Sequence, residues 1–558
     1  RWFNSSIGTS QTPFEGTYDG GGYTIKGLGT WDSRSSISGQ SVFDRVTANR
    51  DVPLFGYLNG AAVKELVVEG AAMSERSDSL RGILCREAQK STVIEHVTIS
   101  KARLELQNFA PGTEGFGLLA GKLSGSTIKN CTVNASAVVC GSAAVKYVGG
   151  AVGHLTDGGT IDGLTLDEVS VGGSKATHLG GAAGFADSGQ IRSVSVGGNG
   201  TEAVVIEGDR AVGGLIGQIN SGKGVVTVGN ISMTGRITVR QTTASNNTKL
   251  YNGVGLLAGL CEISGNPVTI DRIRAQGTDD SILVENSAVS QYHIGSFVVG
   301  SLYRSSGDAV ACALTLGDIG IHGANLTSAN PGRSNTYCGY GGVIGQNSKA
   351  VVLAAGSPWD LGGSSISVTA EAGANGYHSD SGVSGLTGKF LEAASMTLPE
   401  ETILPDIRVR VQAGGSIPVS GVANVTAGRV VAIEAAEQAG SRVRIHSIVT
   451  ENCRNTGGLT AVLSDDTVFH KLSVESVLTD GSAPGPGVIE ASGNVGGIAG
   501  TVACGPSNVV KQLSVNGLQV RGSGNVGGFA GVVTGGVIEQ CSAYADVAVV
   551  WPADSMAG

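Results

Sequence analysis

The stretch Gly277-Thr278-Asp279-Asp280-Ser281-Ile282 sets two carboxylates side by side. Paired acids are the residue types that cleave glycosidic bonds, one activating water while the other protonates the leaving sugar oxygen. For that chemistry Asp279 and Asp280 need a groove lined by aromatic residues beside them. Without one they are a turn with solvated carboxylates, as is Asp465-Asp466 further on. The eight histidines, His96, His154, His178, His293, His322, His378, His446 and His470, are scattered without ligand spacing and read as surface or corner residues. His-Glu-x-x-His is absent, no Gly-x-Ser-x-Gly elbow is followed by a plausible triad, and Gly20-Gly21-Gly22 opens no helix that could cradle a phosphate. No catalytic, cofactor-binding or metal-ligating residue is assigned, and no cofactor is expected.

Nine cysteines are spread along the chain with no Cys-x-x-Cys. An odd, dispersed set excludes a small disulfide scaffold and a zinc module. Cys131 in Ile128-Lys129-Asn130-Cys131 and Cys541 in Ile538-Glu539-Gln540-Cys541 hold the same place in a repeated phrase, and are expected to point inward as small apolar residues. Occasional disulfides between neighbouring repeats stay open. Acceptor triplets for N-glycosylation occur at Asn4, Asn130, Asn134, Asn199, Asn230, Asn246, Asn325 and Asn424, which suits a secreted glycoprotein.

These residues sit in a chain of 558 residues with 89 Gly, 13 Pro and 5% aromatic content. Hydrophobic residues make up 41%, so the chain is globular, and small and β-branched types suit a narrow core of stacked strands. Net charge is −9 with no basic block, which argues against nucleic acid as a partner. No apolar run is long enough to span a bilayer. Because the first residue is Arg1, the chain is expected to be a processed product or a fragment.

The positioning element is a repeat. Val495-Gly496-Gly497-Ile498-Ala499-Gly500 restarts as Val526-Gly527-Gly528-Phe529-Ala530-Gly531. The same glycine-bracketed hexad opens at Phe116, Val148, Leu179, Val212 and Val254, with weaker copies at Ile294, Tyr340 and Val383. Between hexads lie alternating strands such as Thr160-Ile161-Asp162-Gly163-Leu164-Thr165-Leu166, followed by a third short strand such as Val169-Ser170-Val171. Three short strands per repeat of about thirty residues, with glycine corners and no helical period, predict an all-β parallel β-helix. A coil leaves its outward N–H and C=O groups unpaired until the next stacks about 4.8 Å away, so the phrase has to repeat. The expected divisions are a lead-in over 1–53, a solenoid with long corner loops over 54–391, an irregular coil or small insertion over 392–440, and solenoid again over 441–558.

The hexads from Val148, Val212, Val495 and Val526, together with Ile128-Lys129-Asn130-Cys131, resemble the GLUG motif. That repeat occurs in large surface and secreted proteins, and in IgA-cleaving metallopeptidases outside their catalytic part. The opening Phe14 to Leu28 is similar to the lead-in of such arrays, and the resemblance weakens from Ile294 to Gly458. It implies a β-solenoid at a cell surface or in the extracellular space, and it carries no catalytic residues. The expected function is a non-catalytic structural or adhesive protein: a rod, stalk, filament subunit or coat. Its expected partners are other surface or filament proteins, itself end to end, or glycans, with loops between Ser221 and Gly382 presenting the binding surface. The alternative is a glycan-binding or polysaccharide-cleaving β-helix. Pectin-cleaving β-helix glycosidases also carry a third Asp and a Gly-His-Gly, whereas here Ile321 precedes His322-Gly323.

Overall fold

The structure, a computed structural model, describes residues 6–28, 53–75, 81–106, 114–141, 144–197, 203–242, 252–278, 281–287, 292–304, 313–330, 337–353, 357–370, 381–411, 417–436, 439–477 and 487–550. Every regular element among them is a β-strand, and the pairings are parallel ladders of coil upon coil, which is a parallel β-helix. The chain divides into two compact units, Arg1–Thr243 with Leu257–Val268, and Ala244–Leu256 with Thr269–Gly558.

One coil of the first unit shows how the repeat folds. The hexad supplies two strands, Lys146–Gly149 and Val152–Thr156, where the sequence suggested one. Thr160–Asp167 and Ser170–Gly172 complete the coil. The next coil repeats it in register: Val148 pairs with Leu179, Val152 with Ala183, Ile161 with Ile191 and Val171 with Ile206. Leu179 in turn pairs with Val212, so the first residue of each hexad stands in one column. Val148, Leu155, Ile161, Leu164, Leu166 and Val171 are fully buried. Burying such a side chain contributes about 1.5–3 kcal/mol, and the same inward slots recur in each coil.

Two geometric devices turn the ribbon. The long strand bends at one left-handed residue, in successive coils Glu65, His96, Asn130, Gly163, Ser193 and Asn230, with φ of 51°, 53°, 50°, 75°, 56° and 55°. Only Gly163 takes this conformation freely. For the others it costs roughly 1–2 kcal/mol, offset by ladders on both legs of the bend. The hexad glycines act differently: none of Gly149, Gly153 or Gly184 has a positive φ. A Cβ on Gly153 would collide with the backbone of Gly115 and Phe116, and one on Gly184 with that of Tyr147 and Val148. The two short sheets of the hexad therefore meet backbone to backbone, and glycine is required for space.

In the second unit the ladder runs through Ala324–Asn330, Ser365–Ala370, Asp406–Val411, Ser447–Glu451 and Val488–Ala491. The described residues of 392–440 are part of it: Ala394–Leu398 pairs with Val431–Ala435, and Glu401–Ile403 with Arg442–Arg444, as an irregular coil would and an inserted lobe would not. Pro399-Glu400 stands at the corner between Ala394–Leu398 and Glu401–Ile403, where two coils on the single left-handed Lys471, at φ 55°, stands between Thr467–His470 and Leu472–Ser476. Polar groups occupy part of this interior. Ser384 and Ser420 share a 2.8 Å hydroxyl contact, and Trp359 donates Nε1–H to the Gly317 carbonyl at 3.0 Å.

Candidate binding surface

The catalytic alternative rests on Asp279 and Asp280, which lie outside the described residues. Much of the loop sequence between Ser221 and Gly382 lies outside them too. Among the described residues no group of three or more His, Cys, Asp or Glu is placed to hold a metal ion, and no helix is long and apolar enough to cross a membrane. Eight cysteines are free thiols in the described residues, all buried except the partly exposed Cys541, and Cys312 lies outside. Burial pushes Cys131, Cys140 and Cys453 up to about 12, which suits inert core thiols.

The acceptor asparagines fall into distinct environments. Asn130 and Asn230 are exposed at left-handed bends, and Asn134 and Asn325 are partly exposed on strands. Asn4, Asn199 and Asn246 lie outside the described residues. Asn424 is 2% exposed, and its Nδ2 reaches Ser384 Oγ at 2.9 Å and the Val383 carbonyl at 3.1 Å. A sugar on that nitrogen has no room, so Asn424 is corrected from acceptor to core residue.

The histidines also divide. His96 is a corner residue whose Nδ1 lies 2.8 Å from Glu65 Oε1, and His446 pairs with Asp406 at 2.7 Å. His293 is fully buried, against the expectation of a surface position. His154 and His178 belong to a cluster that sequence reasoning missed.

That cluster occupies the flanks of two consecutive hexads in the first unit. Tyr147 precedes Val148–Gly153 and His154 follows it; His178 precedes Leu179–Gly184 and Phe185 follows it. Register stacks the flanks, since Lys146 pairs with Thr177 and His154 with Phe185. Tyr147 stacks on Phe185 with centroids 4.2 Å apart and planes 15° apart. His154 meets Phe185 edge-on at 5.1 Å, and His178 meets Tyr147 edge-on at 5.3 Å. Tyr147 and His178 are both left-handed, at φ 58° and 59°.

Buried acid supports the rings. His154 Nε2 and Lys223 Nζ each lie 2.9 Å from Asp187 Oδ2. Burial acts to raise the Asp187 carboxyl, but hydrogen bonds from His154, Thr156 and Lys223 outweigh it and hold the group at about 2. Burial, then Arg210 and Lys146, push the His178 imidazole down to about 3, so it is neutral at pH 7. Burial and the acids Glu114, Asp187 and Glu262 push Tyr147 up to about 12, which keeps its hydroxyl a donor. Nearby, Glu262 Oε2 accepts from Gln218 at 3.1 Å and from Asn220 at 2.8 Å. The arrangement sets one partly exposed ring, Tyr147, backed by the buried Phe185, beside oriented donors and acceptors.

The signal was present in the sequence as aromatic or imidazole residues flanking two hexads, where neighbouring hexads carry Gly115 with Lys122 and Ala211 with Gln218. Comparison with protein-family models, with curated proteins and with solved structures finds no match for this chain.

Proposed function

We propose that the chain is a non-catalytic structural or adhesive protein of the cell surface or extracellular space, a solenoid of the GLUG type that displays its outer residues to partners. The observation that carries this is the register of the ladders. Residues about one coil apart in sequence stand in fixed columns on the outside, as Lys64, Glu95, Lys129, Asp162 and Arg192 do. A surface whose side-chain spacing is set by backbone hydrogen bonds suits rigid display and repeated contact. The expected partners are other surface or filament proteins, a second copy stacked end to end, and glycans.

Antibodies raised against the folded chain should label intact, unpermeabilised cells of its source or their secreted matrix. Labelling only after permeabilisation would overturn the location. Turnover of a polysaccharide by the purified chain, abolished by Asp279→Asn with Asp280→Asn, would replace the structural role with the catalytic alternative.

A further inference from the structure

The Tyr147, His154, His178, Phe185 cluster is not demanded by coil packing. At the slots of Tyr147 and His178, the coils on either side hold Gly115 and Ala211, which carry nothing beyond Cβ, and they complete the same ladders. The left-handed backbone of Tyr147 and His178 belongs to the slot, since Gly115 and Ala211 share it at φ 86° and 51°. What sets these coils apart is Asp187, a carboxylate only 4% exposed and held by His154 and Lys223 beside the stacked rings. A buried, oriented acid in such a setting marks a functional site more often than a structural one.

The chemistry of the surroundings narrows the ligand. Four cations lie within reach, and each faces an acid: Lys122 with Glu87 at 3.0 Å, Lys146 with Glu114 at 3.8 Å, Arg210 with Asp209 at 3.7 Å, and Lys223 with Asp187 at 2.9 Å. His178 carries no charge at neutral pH. Among the described residues every cation of the site thus has an acid beside it, and the Glu262 carboxylate is engaged by two amides. The site does have ring surface, the fixed imidazole of His154, the hydroxyl of Tyr147, and the Gln218, Asn220 and Glu262 group. Such a set matches a neutral ligand with apolar C–H faces and many hydroxyls. We infer that these two coils bind a neutral oligosaccharide, its pyranose C–H face against the partly exposed Tyr147 ring, which the buried Phe185 backs, and its hydroxyls on His154 and the Glu262 group. The inference goes beyond display by a surface protein and stands without it, because it rests on side chains of two coils alone.

The test is an array of neutral and anionic oligosaccharides probed with the purified chain, followed by calorimetric titration of the best neutral binder. Binding is expected to weaken at least tenfold in Tyr147→Ala and in His154→Ala. Tyr544→Ala, an exposed tyrosine of the second unit, should bind as the unchanged chain does. Circular dichroism checks that each variant keeps its β-structure. Should Tyr147→Ala fail to fold, Glu262→Gln takes its place with the same expectation. No neutral binder from a folded chain, binding confined to anionic glycans, or full affinity in the folded variants would each overturn the inference. Loss of binding with no surface labelling of cells would leave the site standing and remove only the proposed location.

Discussion

Lys129 Nζ lies 2.7 Å from Glu95 Oε1, and the two residues are one coil apart in a column whose charge alternates from coil to coil. The column runs Asp19, Lys64, Glu95, Lys129, Asp162, Arg192, with further contacts of 3.1 Å between Lys64 and Asp19 and between Arg192 and Asp162. Each inner member faces an opposite charge above and below. Slipping the ladder by one residue would replace this column with a different set, so the charges favour a single register.

An isolated ion pair can be reversed without loss; a column cannot. Lys129→Glu should lower the melting temperature, because Glu95 and Asp162 then both face a like charge. Adding Glu95→Lys to make a swapped pair should not restore it. The introduced lysine would face Lys64, and the introduced glutamate would still face Asp162. Thermal unfolding of the two variants checks this, and the deficit should shrink in concentrated salt, where exposed charges are screened. Recovery in the swapped double variant would show that the contact acts as a lone pair.

Two glycines of one coil region separate the need for space from the need for a left-handed backbone. Gly184→Ala drives a Cβ into the Tyr147 and Val148 backbone and should cost about 3 kcal/mol or more. Gly158→Ala has open space but φ of 76°, and should cost only about 1–2 kcal/mol. Chemical denaturation of both variants orders them. Equal losses would contradict the close approach of the two hexad sheets.

Acid should weaken the first unit through His178. Its folded imidazole protonates only near 3, while the unfolded one does so near 6.5. Between those values the unfolded chain binds more protons, so stability falls as pH drops from about 6.5 towards 3. Asp187 adds to the loss lower down, since its folded value of about 2 lies below the ordinary 3.8 and its contribution fades as pH falls from 3.8 towards 2. Denaturation midpoints at pH 7.5 and 4.5 should differ for the unchanged chain and differ less for His178→Gln. A steeper acid loss in the variant would refute the assignment.

Glycan occupancy should follow burial. Secreted from a eukaryotic host, the chain should carry sugar at the exposed Asn130 and Asn230 and none at Asn424. Glycopeptide mass spectrometry reads this directly. Asn424→Ala should instead cost about 1–3 kcal/mol, the range for a buried hydrogen-bonding group that loses its partner.

The architecture was legible because its determinants are local and recur. Alternation in Thr160-Ile161-Asp162 and its counterparts, the hexad at fixed intervals, and the absence of any helical period follow from which residues must face a narrow core. The stacking of Val148, Leu179 and Val212 follows from that recurrence alone. The hexad left two roles open. Its glycines suit either a corner or the close passage of a neighbouring strand, and at Gly153 and Gly184 it is the second, because the backbone of a different coil passes against them.

The sequence by itself therefore determined the solenoid, the inward apolar slots and the thiols that fill some of them, because each is written into the repeat as a period. Only the tertiary structure decided that Asn424 is core and not acceptor, that the described residues of 392–440 are ladder, and that Tyr147, His154, His178 and Phe185 form one cluster. The reason is physical: stacking brings together residues about thirty positions apart, and the column each joins depends on where the ribbon bends. A single left-handed residue or one proline stands at that bend, and neither announces it in composition.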